Sequence, residues 1–190
     1  MGIMLKLEEL ESELELVKSP VLEFFLNGLS KKAILSFFEK EQLVPTEDLI
    51  EMYQWRNGVR FKDIPAGKLC FGVSGVFFPV EISMKVYNDN KTDFVNYFPI
   101  FSDDSYLLNL DPMSKDAGKI SIYCPSLQIM EPQSYFDSMT SMIETFIACF
   151  RRGCFFYDKN GYFEQDYSLS FELAKEINPN SEYWKSETTK

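Results

Sequence analysis

The segment PIFSDDSYLLNLDP, from Pro99 to Pro112, is followed at 118–123 by GKISIY. Two apolar runs flank the polar turn at 102–105, and a third run follows the loop that ends at Gly118. Short β-prone runs separated by clusters of Asp, Ser, Gly and Pro are typical of consecutive strands. The segment therefore predicts a β-hairpin followed by a third strand.

Further β-prone runs precede this segment, and the spacers between them are too short for helices. These runs lie at 61–64, 68–73, 76–82 and 84–87. Such close spacing favours antiparallel pairing, because a parallel connection needs a dozen or more residues. The middle of the chain is therefore predicted to form a sheet.

Helix signals stand on both sides of the strands. Thr46 can cap a helix that ends at Asn57-Gly58, because glycine tolerates the left-handed conformation beyond a helix C-terminus. Ser134 is the predicted cap of a later amphipathic helix that Gly153 terminates. This order predicts an α+β fold: a single, mostly antiparallel, twisted sheet of about six strands, with the N-terminal and C-terminal helices packing on one face. The other face is then partly exposed and available for binding.

Length and composition predict one domain over 1–190, with a frayed polar tail at 180–190. The chain is 45% apolar and 16% aromatic, with 18 Phe and 10 Tyr. A globular chain of this length buries roughly 70% of its unfolded surface. We therefore expect a full core that is built largely from aromatic rings.

The formal net charge of −10 is spread along the chain. It argues against nucleic-acid binding, since phosphate contacts need clustered Lys and Arg and no such cluster occurs. Two interpretations of the acidity remain open. It either maintains solubility or forms an acidic face that attracts a basic partner.

The sequence contains no histidine, which removes Ser-His-Asp and Cys-His catalysis and histidine metal ligands. The four cysteines lack CxxC spacing and lie in apolar runs, so we expect buried free thiols. No signal-peptide pattern is visible, and the longest uncharged run, at 69–80, is too short for membrane insertion. These features predict a cytoplasmic protein without a cofactor, a metal site or a catalytic residue.

Carboxylates are densest around the central strands, at Asp103, Asp104, Asp111 and Asp116. Three roles are open for them: solvated turn residues, an acidic contact patch for a partner, or a metal or catalytic site. The last role requires carboxylates that converge, at about 5–9 Å for a glycosidase pair. The sequence does not show such convergence, and we take the four aspartates as candidates for partner binding.

Trp55 and Arg56, directly before Asn57-Gly58, are the second candidate for partner binding. Tryptophan and arginine are enriched at the energetic centres of protein interfaces. The alternative is that Trp55 packs under the sheet as a core residue.

Three motifs in this order resemble the SUKH superfamily, which includes yeast cell-wall assembly regulators and bacterial toxin-immunity proteins. They are the helix at 45–58 (PTEDL to RNG), the strand segment from Pro99 to Tyr123, and the helix that begins SYFDSM at 134. The resemblance covers about residues 30–150. It implies a SUKH-like α+β domain and a non-enzymatic function in protein binding.

The function expected from this resemblance is that of a bacterial immunity protein, which binds and neutralises a toxin domain, often a nuclease. An acidic protein suits this role, because a nuclease active site is basic and attracts negative charge. Two alternatives stay open: a regulatory or scaffold protein in cell-envelope or signalling processes, and a carboxylate-based hydrolase.

Overall fold

The computed structural model describes residues 2–72, 75–90, 92, 95–102 and 106–186. Within these ranges the α-helices are α1 (Met4–Leu16), α2 (Lys31–Lys40), α3 (Glu47–Trp55), α4 (Val80–Asn90), α5 (Met139–Arg152), α6 (Tyr167–Ile177) and α7 (Glu182–Ser186). The strands are β1 (Phe25–Asn27), β2 (Arg56–Val59), β3 (Tyr97–Pro99), β4 (Tyr106–Asn109), β5 (Ile120–Cys124), β6 (Ile129–Phe136), β7 (Phe155–Tyr157) and β8 (Phe163–Gln165). Short 3₁₀ helices occupy Pro20–Glu23, Ala66–Lys68 and Pro125–Leu127.

The central sheet is antiparallel, with the strand order β3-β4-β5-β6. Phe98, Leu108, Ile120 and Phe136 pair in one row across it, and all four side chains are buried. This row defines the inner face of the sheet. It confirms the hairpin and the third strand that the segment beginning at Pro99 predicts.

The α+β class is confirmed, but the prediction of a single sheet with about six strands is wrong. The described strands form three antiparallel sheets, of four, two and two strands. Residues 76–78 connect the β1-β2 pair to the central sheet without forming a full strand. The Phe77 carbonyl accepts from the Val59 N–H at 3.0 Å, and the Phe78 N–H donates to the Ile100 carbonyl at 3.0 Å.

The strands predicted at 76–82 and 84–87 are replaced largely by a helix, α4. Val80, Met84 and Tyr87 are all buried, and their spacing of four and three residues brings them to one side of a helix. The apolar composition of this stretch suits a strand equally well, so tertiary packing decides between the two structures. The described residues at 61–64 and 68–72 form no strand either, so the central sheet is smaller than predicted.

The helix predicted to begin at Ser134 begins four residues later. Ser134 lies in β6, because Tyr135 and Phe136 continue the ladder beside β5. The cap of α5 is Ser138. Its hydroxyl accepts from the Ser141 N–H at 3.0 Å, and the Ser141 hydroxyl accepts from the Ser138 N–H at 2.9 Å. This reciprocal cap satisfies backbone donors that helix formation leaves free.

The helices cover the inner face of the central sheet. In α5, the Phe146 ring lies 5.9 Å from that of Phe136, and in α2 the Phe38 ring lies 5.0 Å from that of Phe98. Helix α1 packs against α5 and α3. Its fully buried side chains are Leu7, Leu10 and Leu14. The core is built largely from rings, as the composition predicts.

The C-terminal segment packs along β6. Where the sequence predicts fraying, Ser181 and Trp184 are buried. The Ser181 hydroxyl donates to the Ser134 carbonyl at 2.5 Å, and the Trp184 indole N–H donates to the Tyr135 carbonyl at 2.9 Å. These bonds occupy polar groups of a strand at the edge of the sheet, where unpaired groups would otherwise remain.

Candidate functional site

Trp55 and Arg56 are brought together by Glu11, a residue that the sequence gives no reason to select. The Trp55 indole N–H donates to Glu11 Oε2 at 2.6 Å, and the Arg56 guanidinium pairs with Glu11 Oε1. Trp55 is 7% exposed, and Arg56 lies 5.9 Å from the centroid of the Phe25 ring. The cluster ties α1 to the end of α3 and to β2. Its role in partner binding stays a prediction.

The carboxylates of Asp111 and Asp116 both have partners within the loop between β4 and β5. Asp111 Oδ1 accepts from the Met113 N–H at 2.9 Å, which is the geometry of a polar turn. Asp116 forms a 2.8 Å ion pair with Lys119, and both side chains are largely covered. These contacts fit the role of turn residues, which is one of the three roles that the sequence left open for the aspartates. Asp103 and Asp104 lie outside the described residues.

A pocket opens on the outer face of the central sheet, opposite the buried row. Side chains alternate between the faces of a strand, so Tyr97, Pro99, Leu107 and Tyr123 share this outer face. Helix α4 packs beside β3, at the sheet edge. Between the helix and the outer face lies a cavity of about 250 Å³. We call it the α4 pocket.

Both the helix and the sheet contribute aromatic side chains to the α4 pocket. Tyr87 comes from α4, and Tyr97 and Tyr123 come from the strands. Tyr97 and Tyr123 are half-buried, and both line the pocket. Burial raises the pKa of the Tyr97 hydroxyl, and the negative charge of Asp116 adds to this rise.

The C-terminal end of α4 forms one side of the same pocket. Asn90, its last residue, lines the cavity, and the last turn of α4 contains no basic residue. Asn90 Nδ2 donates to the Val86 carbonyl at 2.8 Å, which leaves the side-chain oxygen of Asn90 as an acceptor. The backbone carbonyls at a helix C-terminus carry partial negative charge. The described residues that line the pocket include no Lys or Arg.

A second cavity, of about 260 Å³, lies among β6, α5 and α6. Its lining rings pack against one another, with Tyr135 and Phe136 at 4.8 Å and Phe136 and Phe146 at 5.9 Å between centroids. Its polar groups are engaged locally, since Gln165 Nε2 donates to Ser170 Oγ at 2.6 Å. It lies against the aromatic core, and its lining also includes the exposed side chains of Leu127 and Tyr167.

The carboxyl groups of Asp48 and Glu51 and the cysteine thiols lie outside the two cavities, and their surroundings indicate structural roles. Burial raises the pKa of Asp48, and the charge of Glu51 adds to the effect. Glu51 Oε2 accepts from the Met4 N–H at 2.9 Å and so caps α1. Burial also raises the pKa of both the Cys149 and the Cys154 thiols, which makes the reactive thiolate scarce. The four cysteines are buried thiols outside any disulfide, as predicted.

The described ranges contain neither a candidate metal site nor a helix that could span a membrane. No group of three or more His, Cys, Asp or Glu side chains there is placed to hold a metal ion. No helix within those ranges combines the length and the apolar character needed to cross a bilayer.

Comparison of the chain with protein-family models and with curated protein sequences yields no match. The residues of the α4 pocket were not selected from the sequence, although the sheet face opposite the helices was predicted to be available for binding. Side chains at 97–99 and 121–123 alternate between the two faces of the sheet. This alternation is the sequence signal that distinguishes Tyr97 and Tyr123 from the core residues next to them in their strands.

Proposed function

We propose that this protein is a non-enzymatic binding module that recognises a basic protein domain and blocks it, as a toxin-immunity protein does. The observation that carries this proposal is the α4 pocket: a partly exposed, tyrosine-lined cavity on the outer face of the sheet, in a protein of net charge −10. Tyrosine is enriched at interface centres, where it supplies apolar contact area and a polar tip.

Charge supports a basic partner. Complementary net charges steer two proteins together and raise the association rate, most strongly at low ionic strength. The resemblance of the Pro99–Tyr123 segment to SUKH immunity proteins points to the same class of partner. A nuclease toxin is a natural member of that class, because its active site is built to bind phosphates.

The test begins with affinity capture from the native organism, followed by expression of each recovered protein and measurement of its Kd at low and high salt. We expect a basic domain whose affinity falls at least tenfold as the salt concentration rises. Co-expression is expected to relieve any toxicity of that domain. Recovery of acidic partners only, or binding that is indifferent to salt, would overturn the proposal.

The acidic turn supplies a matched pair of variants. Asp103→Ala with Asp104→Ala removes two negative charges from the segment of sequence that joins β3 to β4, and we expect it to weaken partner binding. Glu8→Ala with Glu15→Ala removes two charges from the exposed side of α1, which packs behind the inner face. Equal effects of the two double variants would show that net charge alone matters and that the Asp103-Asp104 turn makes no contact.

A further inference from the structure

We infer that the α4 pocket binds an arginine side chain of the partner. The inference rests on the proposed function, since it names the group by which a basic domain would be anchored. It follows from three features of the pocket: its rings, its helix end and its acceptor.

The rings favour a cation over an apolar side chain. The faces of aromatic rings carry partial negative charge and attract a cation that lies within about 6 Å of the ring centre. Tyr87 lines the pocket from α4, Tyr97 and Tyr123 line it from the strands, and Pro99 and Leu107 add apolar side chains to the lining. The methylene stem of a long cationic side chain suits this apolar surface.

The helix end adds a directional electrostatic contribution. Asn90, the last residue of α4, lines the pocket, so the partial negative charge of this helix C-terminus lies close to it. Cations in this position are stabilised by the helix dipole, and α4 supplies none of its own in its last turn. Among the described residues that line the pocket, no Lys or Arg takes this position.

The shape and the acceptor favour arginine over lysine. A guanidinium is planar, stacks on aromatic faces and is more weakly hydrated than an ammonium group, so it loses less on entering an apolar pocket. Its fan of N–H donors can reach the side-chain oxygen of Asn90 while the plane rests on a ring. Lysine offers a compact, strongly hydrated charge that suits this setting less well.

The probe is the tripeptide acetyl-Gly-Arg-Gly-amide, titrated into the isotopically labelled full chain and followed by NMR. We expect millimolar binding, with shifts concentrated at Tyr97, Leu107 and Tyr123. The citrulline tripeptide has the same shape without charge and is expected to bind at least tenfold more weakly. The lysine tripeptide is expected to bind several-fold more weakly.

Variants then locate the site. Tyr123→Leu is expected to weaken binding of the arginine tripeptide at least threefold, whereas Tyr123→Phe, which keeps the ring, retains it. Tyr167→Leu, at an exposed tyrosine that lines the other cavity, is expected to have no effect. Well-dispersed spectra confirm that each variant is folded.

Shifts that map elsewhere, no shifts at all, or equal affinity for the citrulline tripeptide would each refute the inference. The two proposals fail separately. Salt-sensitive binding of a basic domain without any response of the α4 pocket to the arginine tripeptide would leave the proposed function standing and remove the inference. Binding of the tripeptide without any basic partner would leave an arginine-binding pocket standing and remove the proposed function.

Discussion

The indole nitrogen of Trp55 and Oε2 of Glu11 lie 2.6 Å apart, and this bond joins α3 to α1 through two residues that are 44 positions apart in the chain. The same carboxylate pairs with Arg56, so one side chain of α1 serves two donors at the end of α3. This bond gives Trp55 a structural partner whether or not it also contacts another protein.

Replacement of Glu11 by alanine is expected to destabilise the protein by about 2 kcal/mol. The change leaves the indole N–H of the buried Trp55 without an acceptor, and an unpaired buried donor costs about 1–3 kcal/mol. Urea denaturation followed by fluorescence measures the difference. Glu15→Ala, at an exposed position of the same helix, is expected to stay within about 0.5 kcal/mol of the parent. Similar losses in the two variants would contradict a specific role for Glu11.

Two glycines with nearly equal φ angles are expected to respond differently to replacement by alanine. Gly58 has φ +73° and Gly153 has φ +70°, so both substitutions incur the cost of a left-handed residue, about 1–2 kcal/mol. A Cβ at Gly153 meets nothing within 4 Å, whereas one at Gly58 would lie 2.3 Å from the backbone nitrogen of Pro79. We expect Gly58→Ala to cost roughly 3 kcal/mol or more, because the backbone must move. Equal thermal shifts would show that the local backbone yields easily.

Alanine variants of Ser134 and Ser138 are expected to differ in amide exchange near the C-terminus, although both hydroxyls accept backbone hydrogen bonds. Ser138→Ala removes the cap of α5 and should cost about 1 kcal/mol with little change at Trp184. Ser134→Ala removes the acceptor for the Glu182 N–H, at 2.9 Å, and should loosen the segment that carries Trp184. Faster amide exchange over 181–185 in Ser134→Ala alone is the expected result. The same exchange pattern in both variants would argue against a separate attachment of this segment.

Asp48 and Asp158 are expected to give pH dependences of opposite sign. Burial raises the pKa of Asp48 above its ordinary value of 3.8, so its ionisation on going from acid to neutral pH lowers the stability of the fold. Asp48→Asn should therefore stabilise the protein at pH 7, and the gain should shrink towards about pH 3. Stability curves from urea denaturation at the two pH values measure this change.

For Asp158 the sign is reversed, because hydrogen bonds from the Tyr162 and Asn160 backbone N–H groups lower its pKa. The stability that its charged form contributes is present above the unfolded pKa and is lost as the pH falls through the folded pKa. Asp158→Asn should therefore destabilise the protein at pH 7, with a loss that shrinks in acid. Parallel behaviour of the two variants would contradict this assignment.

Short sequence patterns correctly predicted those helices and strands whose structure depends on residues close together in the chain. The hairpin β3-β4 follows from two apolar runs around a polar turn, and the start of α3 follows from Thr46, whose hydroxyl accepts from the Leu49 N–H at 3.2 Å. Such signals fail where one sequence suits two structures. Residues 76–87 are apolar and aromatic enough for strands, and α4 forms there because its buried side can pack beside β3.

The sequence by itself determined the α+β class, the free buried thiols and the aromatic core, because composition and short-range periodicity carry that information. Only the tertiary structure decided that Trp55 pairs with Glu11 and that Tyr97 and Tyr123 line one pocket together with the end of α4. The physical reason is that these relationships join residues far apart in the chain. Their pairing depends on strand register and helix docking, which the energy of the whole fold selects.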